Sequence, residues 1–237
     1  LSADVPSTLR RVADAGYQTV ELYDFVRDAR VYADALPAAG LTAASAHNRL
    51  IGADLDAVVD AANLLAIPVV IDPSSNPAQW RTRNGIQSLA EQLNLAAAHF
   101  AGSRIAVGYH NHAFELENRF NGITGLEVFA AELDPAVVLE VDTYWVHVAG
   151  EDAPSLLARL GDRVQFLHIK DGPISHEDSD QVAVGAGVMP VREILAAAPE
   201  ALPIVELDDF DGDVFDALRD SHTFLRALNG DSERPGA

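Results

Sequence analysis

The segment RIAVGYHNH, residues 104–112, decides how the chain is read. It opens as a short apolar run and closes on two histidines, His110 and His112, two residues apart. On a strand such a pair points the same way. The same pattern, an apolar run that ends on an ionisable residue, recurs at 17–22, 41–47, 67–72, 136–142, 163–169 and 203–207. Most of these runs are almost continuously apolar. That is the character of parallel strands covered on both faces.

Working outward, each run is followed by an Ala/Leu-rich helical pattern. Helices are predicted at 6–15, 28–39, 53–66, 85–101, 123–133, 153–160, 190–198 and 213–228. Gly16 and Gly40 read as helix stops, and Ser7, Asp54, Ser155 and Asp213 as first-turn or capping residues. Strict alternation predicts a parallel α/β architecture. A doubly wound sheet should carry a glycine-rich turn after its first strand, and none is present. The pair Gly185 and Gly187 comes too late in the chain to serve. A (β/α)8 TIM barrel, typically ~250 residues, fits the 237 residues better.

The count is seven strands and eight helices, so the first strand is missing or reduced to residues 1–5. An open barrel exposes two strand edges. Another element or a neighbouring chain is therefore expected over the gap, which favours a homodimer. No linker divides the chain: residues 1–229 read as one barrel domain and 230–237 as a short polar tail.

Composition narrows the function. The hydrophobic fraction of 49% is ample for a core, and cysteine is absent, so any metal must be held by His, Asp and Glu. No run approaches the ~18 apolar residues of a membrane span, and the opening residues show no signal peptide. A cytoplasmic protein is the expectation. The net charge of −20 opposes anionic membranes and nucleic acid as partners. A small carbohydrate is the expected partner instead. Of the 16 basic residues only Lys170 is a lysine. A lysine is a compact, movable proton donor, so its retention in an arginine-using chain suggests chemistry.

In a barrel the C-terminal strand ends form one rim, and active sites sit there. The residues at those ends are Glu21, His47, Asp72, His110 with His112, Asp142, His168 with Lys170 and Asp171, and Glu206 with Asp208. The opposite ends carry no histidine or carboxylate. Asp142, His168 and Glu206, with His110 on the strand before them, form a four-ligand arc of the kind a hard divalent cation prefers. Taken singly, each has an ordinary structural explanation, such as a hydrogen-bonded rim histidine or a loop-capping aspartate. Three acids crowd together at 206–209, which favours a cation there. Glu115 and Glu117 are expected to decorate a loop. The polar segment NPAQWRTRN, residues 76–84, is a candidate lid, and Arg49, Arg81 and Arg83 are candidate anion contacts, though a solvated loop explains them as well.

The motifs VGYHNHAFEL (107–116), LEVDTYWVHVAG (139–150), VQFLHIKDG (164–172) and PIVELDDF (203–210) resemble the strand-end motifs of the xylose isomerase-like TIM-barrel superfamily. This is the sugar phosphate isomerase/epimerase group, which also holds inosose dehydratases and a DNA-repair endonuclease branch. STLRRVADAGYQTVELYDF (7–25) is similar to the group's first helix and second strand. The resemblance implies one divalent ion, Mn²⁺ foremost, with Mg²⁺, Co²⁺ or Zn²⁺ as alternatives, on Asp142, His168 and Glu206. Where the epimerases place a fourth ligand, a glutamate, this chain has His110. That departure weakens an epimerisation by two flanking carboxylates. The inosose dehydratases carry a similar histidine-rich YHxH segment at that place.

The expected function is a divalent-metal-dependent isomerase or epimerase of a sugar, sugar phosphate or cyclitol, working through an enediolate. Glu206 is the expected base, with His110, His112 or Lys170 returning the proton. Trp145, with Tyr144, offers an apolar face, and Glu21, His47 and His112 contact outlying substrate groups. An inosose dehydratase-like or keto-sugar lyase elimination is the alternative. A non-catalytic sugar-binding barrel is a further one. The endonuclease reading is opposed by the charge.

Overall fold

Alternation of apolar and ionisable side chains along the strands produces a wall with two faces. In the computed structural model, which describes residues 4–232, β1 (Thr19–Tyr23), β2 (Thr42–His47), β3 (Val69–Asp72) and β4 (Ala106–His110) are the first four strands. A small antiparallel hairpin, β5 (Arg119–Phe120) and β6 (Ile123–Thr124), interrupts the series. The wall resumes with β7 (Val138–Asp142), β8 (Val164–Ile169) and β9 (Leu202–Val205). All seven long strands are parallel, in the order β1-β2-β3-β4-β7-β8-β9. This is a TIM barrel with one stave absent among the described residues. β1 and β9 are its two free edges, and both line one cleft of about 240 Å³.

Helices cover the outside: α1 (Val5–Asp14), α2 (Ala29–Ala39), α3 (Leu55–Leu64), α4 (Arg83–Phe100), α5 (Phe114–Glu117), α6 (Gly125–Glu132), α7 (Thr143–Val148), α8 (Ala153–Leu160), α9 (Val191–Ala197) and α10 (Val214–Ser232). Their starts follow capping chemistry. Asp4, Asp54 and Asp152 each accept a backbone N–H of the first turn. Thr124 and Glu127 close a reciprocal capping box on α6. Gly40, at φ +71°, ends α2 in the left-handed conformation that glycine tolerates. Val70, Val107, Leu139, Val141, Leu167 and Ile169 join Leu89, Leu93, Phe129, Leu156 and Ile194 of the helices in one core. The intervening strand residues Glu140, Asp142 and His168 are also buried, so the bore of the barrel is polar.

All seven expected strands are present within a few residues of their predicted ends. The possible first strand at residues 1–5 is not a strand where it is described: Asp4 is the cap of α1 and Val5 its first residue. Residues 1–3 lie outside the described residues. At the other end α10 runs to Ser232, into the stretch expected as tail, and residues 233–237 lie outside the described residues. The short α5 and α7 and the β5–β6 hairpin were not anticipated, because two to six residues give too little periodicity to read.

Two loop expectations change. The segment 76–84 is not a loose lid: residues Pro77–Arg81 form a 3₁₀ turn whose Trp80 is wholly buried. Its indole N–H donates to Ser75 Oγ at 2.7 Å, and Ser75 Oγ lies 2.8 Å from the Tyr109 hydroxyl. Glu115 is not a loop decoration either. It is fully buried, accepting from Tyr109 Oη at 2.9 Å and from the His112 backbone at 2.8 Å. No helix among the described residues is long and apolar enough to cross a membrane. Leu93 is fully enclosed between α4 and the wall. Leu93→Ala should lower stability by ~2–5 kcal/mol in urea titration.

Candidate metal centre

Parallel register sets the depth of each rim residue. β4 and β7 pair His110 with Glu140, and β7 and β8 pair Asp142 with His168. Residues two apart on one strand share a face, so Glu140 and Asp142 both point into the bore. His168 and Lys170 stack the same way on and just beyond β8. Glu206 follows β9. The result is four groups, His110, Asp142, His168 and Glu206, whose ligand atoms all lie within 4.8 Å of one another. The first three are buried, and Glu206 keeps 32% of its side chain exposed.

A second set, His47, His110, Glu140 and His168, meets the same distance limit deeper in the bore. Glu140 is the residue that sequence reading passed over. It was legible as the one charge inside an otherwise apolar strand, VLEVD, on the same face as Asp142. His47 Nε2 lies 2.6 Å from Glu140 Oε2 and 3.0 Å from Glu21 Oε1. The His47 and His168 rings stack with centroids 5.4 Å apart, and those of His110 and His168 are 4.7 Å apart. His168, like His110, belongs to both sets: its Nδ1 is 2.6 Å from Glu206 Oε2, and its Nε2 is 3.3 Å from Glu140 Oε1 and 2.9 Å from Glu21 Oε1. Ser45 Oγ donates to the other oxygen of Glu21 at 2.6 Å.

Lys170 is 1% exposed and faces three carboxylates: Asp142 Oδ2 at 2.9 Å, Glu206 Oε2 at 2.8 Å and Asp208 Oδ2 at 2.6 Å. Gln181 holds Asp208 from both sides, donating to its Oδ2 and accepting its backbone N–H, each at 2.8 Å. Trp145 is 8% exposed, its backbone N–H donates to Asp142 Oδ1, and its ring centroid is 5.6 Å from Lys170 Nζ. Tyr144 is wholly buried, and its hydroxyl accepts the Ser175 N–H, so it offers no face to a ligand. His112 sits beside His110 with 35% of its side chain exposed.

Other rim residues do structural work. Asp72 accepts the backbone N–H groups of Leu50 and Ile51 at 3.0 and 3.1 Å, shaping the loop after β2. Asp171 accepts from the backbone of Gly172, Gly185 and Met189, pinning the long loop after β8. This explains the late glycine pair: a Cβ on Gly187 would sit 2.1 Å from Asp171 Oδ1. Arg83 lies over the Phe120 ring on the outside, away from the centre.

Burial and neighbours set the charge states. Burial alone would raise Glu206 and Glu140, but His168 and Lys170 hold Glu206 well below the usual carboxylate range, and His168, His110 and His47 do so for Glu140. Burial would lower His168, yet Glu140 and Glu206 hold it well above an ordinary imidazole. Lys170 is raised: the three carboxylates outweigh burial. Burial raises Asp142 and Glu21. It also pushes His110 down to about 3, against the pull of Glu140.

The donor set fits a divalent cation. Two imidazoles and two carboxylates suit such an ion. The buried Asp142 Oδ2 has no hydrogen bond, only the nearby Lys170 charge. His110, pushed down to about 3, is in the neutral form a ligand needs, whereas His168 would have to give up a proton on binding.

The family model described as xylose isomerase-like TIM barrel matches residues 9–226. A sugar phosphate isomerase/epimerase from Parabacteroides distasonis superposes with a TM-score of 0.79 at 23% identity, over 94% of this chain and 88% of that one. A probable 3-DHS dehydratase, AsbF, from Bacillus anthracis gives 0.73 at 14% identity, over 95% and 94%. The IOLI protein, solved with a zinc atom, gives 0.73 at 14% identity, over 97% and 94%. No sequence among curated proteins matches at a significant level.

The His110 shift has a sign. The unfolded chain takes up a proton at this residue as pH falls through about 6.5, while the folded chain refuses it until about 3. His110 therefore subtracts stability progressively between those values. His110→Asn, in chelator-treated protein, should flatten the fall of the urea midpoint between pH 6.5 and 4.

Proposed function

The chain belongs to the xylose isomerase-like TIM-barrel family, and from that premise we propose that it is a divalent-metal-dependent isomerase or epimerase of a sugar, sugar phosphate or cyclitol. The observation that carries the reading is the meeting of His110, Asp142, His168 and Glu206, from four consecutive long strands of the wall or their ends, within 4.8 Å. These four would hold the ion. Two carboxylates with two imidazoles favour Mn²⁺, with Mg²⁺, Co²⁺ or Zn²⁺ as alternatives. Such an ion supplies Lewis-acid polarisation of a substrate carbonyl and its neighbouring hydroxyl.

The chain's own groups handle the proton. Glu206 is ionised and partly open to the cleft, so it is the base that takes the proton from the carbon beside the carbonyl, giving an enediolate. Lys170, charged and held by Asp208, is aimed at the same place and returns a proton. His112 is a second donor at the rim. His110 is neutral and enclosed, which suits a ligand better than an acid. Glu21 and His47 line the cleft with Glu206 and His168, where they would meet outlying hydroxyls. The exposed edge of Trp145 would border the substrate beside Lys170.

Elimination, as in a dehydratase or keto-sugar lyase, is the second reading. It is favoured by one observation: Glu140, the carboxylate across the ladder from His110, has no exposed side-chain surface and lies against three imidazoles, so it cannot act as a second base opposite Glu206. Lys170 would then protonate a departing hydroxyl rather than a carbon.

Incubation of Mn²⁺-loaded protein with a panel of keto-sugars and inososes, followed by NMR, separates isomerised from dehydrated products. Turnover of at least one member is expected. Glu206→Gln should lower kcat by ~10²-fold or more; full turnover in that variant removes the assigned base. Metal analysis of chelated and reloaded protein should return one divalent ion per chain, and Asp142→Asn should weaken its binding.

A further inference from the structure

Glu140 has no part in the proton transfer just described, yet it is a charge wholly enclosed in the molecule's bore. Its two oxygens face three imidazoles. Oε2 lies 2.6 Å from His47 Nε2 and 3.1 Å from His110 Nδ1. Oε1 lies 3.3 Å from His168 Nε2, an ion-pair contact, and has no hydrogen bond. Its side chain has no exposure to solvent.

We propose that Glu140 is the positioning residue of the metal centre: it fixes which ring nitrogen of His110 is presented to the cation and, together with Glu21, which nitrogen of His168. The inference rests on the reading of those two histidines as ligands.

The argument is one of tautomers. A carboxylate accepts hydrogen bonds and donates none. An imidazole that donates one N–H to a carboxylate offers its other nitrogen as a lone pair, and this is how metal-binding histidines are commonly oriented. His110 gives Nδ1–H to Glu140, so Nε2 is left for the ion. His168 gives Nε2–H to Glu21 at 2.9 Å, with the Glu140 charge 3.3 Å from the same nitrogen, so Nδ1 is left, and Nδ1 is the nitrogen already facing Glu206 at 2.6 Å. His168 Nδ1 and Glu206 would both hold the cation, and on binding the Nδ1 proton would be given up to solvent. His47 supplies Glu140 with a further N–H and so holds the carboxylate in the middle of the three rings.

The position also answers the departure at His110. An imidazole there brings no negative charge to the site. Glu140 stands directly across the β4–β7 ladder from His110 and returns a carboxylate one layer lower, as a hydrogen-bond acceptor rather than a ligand. The alternative, in which Glu140 itself binds an ion with His47, His110 and His168, would put that ion among four buried side chains and leave out Glu206.

The test is NMR of the full chain loaded with Zn²⁺, a diamagnetic probe, with long-range ¹H–¹⁵N spectra of the histidines. His110 should be protonated on Nδ1 and His168 on Nε2. Glu140→Gln puts an amide donor among the rings, so one histidine must turn a lone pair inward. That variant should lose the wild-type tautomer pattern and bind Zn²⁺ and Mn²⁺ 10–100-fold more weakly in calorimetry, with an unchanged circular-dichroism spectrum. Opposite tautomers in wild type overturn the proposal, as does a Glu140→Gln variant with unaltered tautomers and affinity. So does an anomalous-scattering peak for Zn²⁺ at bonding distance from Glu140. If Glu140→Gln fails to fold, the wild-type spectra and the Zn²⁺ position decide. Neither readout involves substrate, so a sugar panel without turnover would remove the proposed activity and leave this inference standing.

Discussion

Charge buried in the bore is the constraint on which this structure depends. Glu140, Asp142, His168 and Lys170 are each no more than 1% exposed. A lone ion in such a place is strongly disfavoured, so buried charges persist only as paired, hydrogen-bonded sets. Here the pairing is dense: Glu140 is ringed by imidazoles, His168 lies between carboxylates, and Lys170 sits amid three acids. Removing one member exposes the others to an uncompensated partner. Such an arrangement adds little to folding stability compared with apolar packing. Its persistence in the middle of an otherwise hydrophobic wall points to chemistry.

The wall makes that arrangement achievable. Parallel strands with helices outside present alternate residues to two environments. Leu139 and Val141 enter the core while Glu140 and Asp142 enter the bore. The same division places Leu167 and Ile169 outside His168. Rim loops then complete the centre from above. Asp171 ties the loop after β8 to its own strand end, and that loop delivers Gln181 to Asp208, which holds Lys170. The orientation of the only lysine is thus set by a residue from a different loop.

Two neighbouring layers of the bore divide the work. The upper layer, His110, Asp142, His168 and Glu206, holds both the donor atoms for a cation and the partly exposed carboxylate. The lower layer, Glu140 with His47 and Glu21, contacts the imidazoles from beneath and fixes how they face upward. On the proposed reading, a reaction that moves a proton beside a carbonyl would draw on both: a charge that can be reached, and ligands whose rings cannot turn.

Much of this was legible beforehand. The seven apolar runs, their alternation with helices and the restriction of histidines and carboxylates to one set of strand ends are local properties, so they determined the parallel barrel, the stave absent among the described residues and the rim positions of His110, Asp142, His168 and Glu206. Tertiary structure alone decided what touches what. Glu115 reads as a loop acid, yet its burial comes from Tyr109, six residues earlier, and from the turn that folds His112 back onto it. Trp80 anchors a segment that composition alone makes look like a lid. Asp72 and Asp171 sit at strand ends like the others, but the backbone N–H groups that claim them come from other loops or distant turns. Glu140 shows the division most clearly: its strand face followed from the two-residue period, while its three imidazole partners come from β2, β4 and β8. Periodicity is written between neighbours in sequence, but a hydrogen bond across the bore depends on strand register and depth, which exist only once the wall has closed around them.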